Sequence, residues 1–113
     1  METVINKSRV GGWQARSTVA LDDIGLESKL AMFSTYRNDR GTLVTTARVE
    51  HDKGDFTSHN LFFDYCKTII ATSPSRVTAK VVEAQHAQID LDMIKDDIIQ
   101  FYKLKEQDEK ELA

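Results

Sequence analysis

Residues 26–50 read LESKLAMFSTYRNDRGTLVTTARVE, and this stretch decides the fold. From Leu26 onward the even positions Leu30, Met32 and Tyr36 are mostly apolar, and the odd positions Glu27, Lys29, Thr35 and Arg37 mostly polar. A period of two marks a strand with one buried face. Asn38-Asp39-Arg40-Gly41 has turn composition, and Gly41 can take positive φ. A second alternating run follows, with Leu43, Thr45, Ala47 and Val49 on one face and Arg48 and Glu50 on the other. If Arg37 stands opposite Thr42, then Tyr36 meets Leu43, Ser34 meets Thr45, Met32 meets Ala47 and Leu30 meets Val49, all on one face. Lys29 then lies opposite Glu50 as a cross-strand ion pair. A slip of one residue would turn one strand's apolar set the other way.

Downstream, His51-Asp52-Lys53-Gly54-Asp55 reads as a second turn, and a third strand runs to about Cys66 or Ile70 with Leu61, Phe63 and Tyr65 inward. Ser73 as N-cap and Pro74 at the first helical position start a helix over about 74–88, although Val77, Thr78, Val81 and Val82 also suit a strand. The last helix, about 91–105, is capped by Asp90 or Asp92. It carries Leu91, Ile94, Ile98 and Phe101 on one stripe. The expected architecture is α+β: a three-stranded antiparallel meander over residues 26–70, packed by two C-terminal helices.

Upstream, residues 1–20 show no steady period. They read as a flexible arm, with a short strand near Thr18–Leu21 at most. The arm is basic, with Lys7, Arg9 and Arg16 against Glu2, whereas residues 90–113 hold eight acids and four bases. Residues 106–113 read as a polar, frayed tail. The 113 residues form one domain, with its core in 21–105. The net charge of −3 excludes a uniformly basic nucleic-acid coat. A single cysteine excludes an intrachain disulfide, and Cys66 reads as a buried structural thiol. Residues 1–7 lack the apolar run of a secretory leader, and the longest apolar runs are too short to span a membrane. The expectation is a cytoplasmic protein.

Chemistry-bearing patterns are sparse. The chain has no phosphate-binding loop, dinucleotide fingerprint, HExxH or CxxC. His51 and His59 share parity on adjacent strands, with Asp55 nearby. They are weak candidates for a divalent metal, because no third ligand is fixed by the spacing. The acid pairs Asp22-Asp23 and Asp96-Asp97 are sequence neighbours, which do not face each other on a helix. No cofactor and no catalytic residue is expected.

Two binding readings remain. The first is a small non-enzymatic binding or regulatory module that acts through protein contacts as a homo-oligomer, a homodimer by the commonest symmetry. Its surfaces would be Trp13, which could equally be a core residue, and the flank of the last helix at Ile99 and Tyr102, which could equally cover the sheet edge. The second is single-stranded nucleic-acid binding by a basic, aromatic sheet face made of Lys29, Phe33, Arg37, Arg40 and Arg48. A small metal-dependent enzyme at His51 and His59 is the third class.

Overall fold

The computed structural model describes residues 1–7, 12–27, 29–50 and 63–112; for residues 50, 63, 64 and 108–112 only the backbone is considered. Among the described residues, five strands form one antiparallel sheet in chain order: β1 (Thr3–Lys7), β2 (Trp13–Ala20), β3 (Leu30–Arg37), β4 (Leu43–Glu50) and β5 (Phe63–Thr72). A 3₁₀ turn, Asp22–Ile24, links β2 to β3, and two helices follow, α1 (Ala79–His86) and α2 (Leu91–Leu112). The α+β class is as expected, but the sheet has two more strands. The N-terminal stretch is not a loose arm, because β1 and β2 pair with each other and β2 pairs with β3.

The hairpin at Gly41 forms, but its register is one residue away from the expected one. Arg37 pairs with Leu43, Thr35 with Thr45, Phe33 with Ala47 and Ala31 with Val49. The cause is the length of the turn. The Asn38 amide donates to the Thr42 carbonyl at 2.9 Å and the Gly41 amide to the Asn38 carbonyl at 3.0 Å. The loop is therefore three residues, Asp39-Arg40-Gly41, and Gly41 takes φ 82° as such loops require. The Asn38 side chain accepts from the amides of Arg40 and Thr42, both at 3.0 Å, and fixes this choice. The odd residues of β3 consequently face the helices, and Leu30, Met32 and Tyr36 face away. Leu30 rather than Lys29 stands opposite Glu50, so Lys29 and Glu50 are not the directly opposed pair expected from the sequence.

Two clusters fill the space between sheet and helices. Under α2 lie Leu21, Ala31, Phe33, Ala47, Val49 and Tyr65 with Ile94 and Ile98; Leu91 and Phe101 pack against them, as the stripe predicts. Under α1 lie Ala15, Leu43 and Val82, flanked by Ile5, Trp13 and Val77. The first helix starts five residues later than Pro74 suggests. The strand before it continues to Thr72, and residues 73–78 carry the chain back over the sheet. Thr78, in an extended conformation, is the cap, and its hydroxyl accepts from the Val81 amide at 3.2 Å. Asp90 caps α2 through the Met93 amide at 3.2 Å. That helix does not stop near residue 105; its Glu-, Lys- and Leu-rich end is good helix-forming sequence and stays helical to Leu112.

The register makes a measurable claim. Phe33 is wholly buried and Tyr36 is 38% exposed. Phe33→Ala should cost about 3–5 kcal/mol in urea unfolding and Tyr36→Ala less than about 1 kcal/mol. The reverse order would point to the four-residue loop.

Candidate functional site

The core under α1 is polar. His86 Nε2 and the Ser17 hydroxyl are 2.6 Å apart, and His86 Nδ1 and the Thr35 hydroxyl 2.8 Å apart. Thr35 bonds Thr45 at 2.8 Å, and Ser17 bonds Thr3 at 3.1 Å. Beside His86, the Gln85 amide donates to the Leu43 carbonyl at 2.9 Å and to Thr45 at 3.2 Å, and its oxygen accepts from the Thr72 hydroxyl at 2.5 Å. One chain of hydrogen bonds thus takes a hydroxyl from each of the five strands and two side chains from α1. One polarity satisfies every bond: Gln85 donates to Thr45, Thr45 to Thr35 and Thr35 to His86 Nδ1, while His86 Nε2–H donates to Ser17 and Ser17 to Thr3. That pattern requires a neutral imidazole. Burial pushes the His86 pKa below its ordinary value. Ser17 and His86 have the spacing of a nucleophile and its base, but both are buried and the third group is a threonine rather than a carboxylate. The arrangement is a structural lock.

The exposed chemistry lies along β5, the strand at one edge of the sheet. Two adjoining depressions run between β5 and α2 and share Lys67, Asp97 and Gln100. Ile69, Met93 and Ile94 line one end, and Tyr65, Phe101 and Leu104 the other. In the middle the Asp97 carboxylate accepts from the Tyr65 hydroxyl at 2.5 Å and from Lys67 Nζ at 3.3 Å, both on Oδ2. The tyrosine hydrogen bond, aided by Lys67, holds Asp97 below the usual carboxylate range, against a smaller opposing effect of desolvation. Burial, then the same bond, raises the Tyr65 phenol. At neutral pH the groove therefore carries an ionised carboxylate and a protonated phenol.

The residues singled out from the sequence do not gather at one place. Trp13 packs on the α1 cluster with Lys7 Nζ 5.2 Å from its ring centroid. Tyr102 lies at the other end of the sheet, with Lys29 Nζ 4.5 Å above its ring and Phe101 edge-on at 5.2 Å. Ile99 is half-buried on the same helix. The basic sheet face is split. Phe33 is core, Lys29 reaches toward α2, the Arg37 guanidinium lies beside Gly41 with Arg40 in the turn, and of the five only Arg48 sits on the face away from the helices. Cys66 is exposed rather than buried, because its strand position shares the Arg48 face. His51, Asp55 and His59, with the proposed second turn, fall outside the described residues. Among the described residues, no group of three His, Cys, Asp or Glu side chains is placed to hold a metal. Lys67 and Asp97 are thirty residues apart, so no local spacing announces the groove. The His86 chain could have been found from the shared parity of Thr35 and Thr45, had the turn been counted as three residues.

Linkage gives the lock a pH signature. The unfolded chain protonates its histidines in the ordinary range, whereas folded His86 resists. The stability His86 contributes is full above that range and is lost as pH falls through it toward the lowered folded value. Thermal midpoints should therefore drop between about pH 7 and about pH 5, well above the range in which the lowered carboxyls of Asp23 and Asp97 act. His86→Gln should flatten this slope, and Thr35→Val should cost about 1–3 kcal/mol by leaving the imidazole and Thr45 unmatched. An unchanged slope in the glutamine variant would assign the effect to other groups.

The chain matches no protein-family model, no curated protein and no solved structure.

Proposed function

We propose that this chain is a protein-interaction module that takes a short extended segment of a partner along the outer edge of β5, against α2. The observation that carries this reading is the coincidence of an edge strand with a groove beside it. Among the described residues no strand pairs with the outer side of β5, so its edge amides and carbonyls offer a template for one more strand. The wall above that edge carries Met93 and Leu104, each 61% exposed, a large apolar surface to leave in water. Main-chain bonds would supply affinity and the groove would select side chains. Trp13 and Tyr102 already have ring and cation partners inside the fold, which favours β5 over either as the docking point.

A display library of random peptides tests the reading. Selected peptides should slow hydrogen exchange in residues 65–69, and Met93→Glu or Leu104→Glu should weaken them at least about tenfold, the effect of a charge placed in an apolar contact. Both side chains are exposed, so the melting temperature should hold. Protection elsewhere, or affinity indifferent to both variants, would refute it.

A second reading keeps nucleic acid but moves it to the face away from the helices, where Arg16 and Arg48 flank Met32, Ser34 and the half-exposed Tyr36. Binding to single strands should then weaken steeply with salt, and the double variant Arg16→Ala, Arg48→Ala should flatten the slope by about 1 to 2. Absence of binding at low salt would remove this reading.

A further inference from the structure

We infer that the segment taken by the β5–α2 groove has the pattern apolar–x–basic–x–apolar, with the basic side chain seated on Asp97; this rests on the strand-addition reading above. The groove has three zones in a fixed order. At one end Tyr65 meets Phe101 edge-on, ring centroids 5.5 Å apart, with Leu104 beside them. In the middle, shared by both depressions, are Lys67, Asp97 and Gln100, with Asp96 on the side of Ile69 and Met93. At the other end are Ile69, Met93 and Ile94. On β5 these zones are marked by Tyr65, Lys67 and Ile69, two residues apart in sequence, with Ile69 at the register shift that closes the regular run. Side chains of an added strand repeat on one face with the same step, so each second residue reaches the next zone.

The charge of the middle zone selects the central residue. Lys67 pairs with Asp97 there, and Asp96 lines the adjoining depression, so the lining as a whole carries two carboxylates against one ammonium, one net negative charge. Both bonds that Asp97 accepts fall on Oδ2, and neither uses Oδ1. The Asp97 side chain is 43% exposed, so a partner's guanidinium or ammonium can reach it without burying either group. Asp96, beside it, takes part in no ion pair among the described residues. An acidic central residue would meet two carboxylates, and a neutral one would leave the charge unmatched. Tyr65 and Lys67 hold the Asp97 carboxylate in place before any partner arrives, which lowers the ordering cost of the contact.

Three synthetic peptides with the core Leu-Ser-X-Thr-Leu, where X is arginine, citrulline or glutamate, separate the outcomes by fluorescence anisotropy and hydrogen exchange on the full chain. The arginine peptide should bind tightest, citrulline about tenfold more weakly and glutamate more weakly still, as loss of a charge-assisted bond implies. Asp97→Asn, which keeps an acceptor for Tyr65, should bring arginine and citrulline together, and Asp96→Asn should narrow the gap partly. All three should protect residues 65–69. Equal binding of arginine and citrulline with that protection retained would overturn the motif and leave strand addition standing. No binding by any of the three, or protection away from β5, would overturn both.

Discussion

The structure depends on the hydrogen-bond chain that runs through His86 and Gln85. A helix of eight residues does not hold itself together in water, and α1 offers the sheet only one wholly buried aliphatic side chain, Val82. Its position is set by two neighbouring polar side chains that reach hydroxyls on four strands directly and on β1 through Ser17. Burying such groups is costly unless every one is matched. Apolar packing tolerates a shifted helix, whereas this network has no second arrangement in which Gln85 reaches Leu43, Thr45 and Thr72 while His86 spans Ser17 and Thr35. The polar layer trades net stability for a single placement of α1.

That layer also explains why the sheet closes in the register it does. Thr35 and Thr45 must face the same side to bond each other, and the three-residue turn at Gly41 puts them there. The alternation of Leu30, Met32 and Tyr36 is present in the sequence, yet it points away from the helices. The opposite residues, Ala31, Phe33 and Thr35, contain one large apolar side chain among small or polar ones. A count of apolar residues favours the wrong face; the Asn38 side chain, by capping two amides, favours the right one. Local turn chemistry outweighed a hydrophobic pattern that was nearly balanced between faces.

The same small-residue logic hid the first two strands. Beneath α1, β2 presents Ala15 and Ser17, side chains small enough to let the helix approach the sheet. A strand built for close approach has little apolar periodicity to read. The hairpin, the stripe of α2 and its Asp90 cap were legible because each is a local pattern with a local cause. The locked histidine and the β5–α2 groove were not, because Ser17 and His86, or Lys67 and Asp97, meet only when distant elements are assembled. No spacing rule reaches across such intervals.

The two ends of the molecule have different physical characters, and that division bears on function. Beneath α1 the contacts are directional and closed, with side chains bonded to one another and shielded. Beneath α2 they are apolar, and the helix leaves part of its surface beside an edge strand. An open edge invites indiscriminate pairing. Here the pairing of β4 with β5 shifts register between Thr45 and Thr46 and again between Val49 and Glu50. The longest regular stretch of β5 is thus Tyr65–Thr68, with a shorter one at Ile70–Thr72, since bulges bend a strand and increase its twist. A flat sheet from another molecule would find little to pair with, whereas a short segment could follow the regular run and end against the irregularity at Ile69. On the strand-addition reading proposed above, the irregularities that shorten the edge and the carboxylate that marks its middle would act in the same direction: both would admit a short, chemically defined strand and discourage an unlimited one.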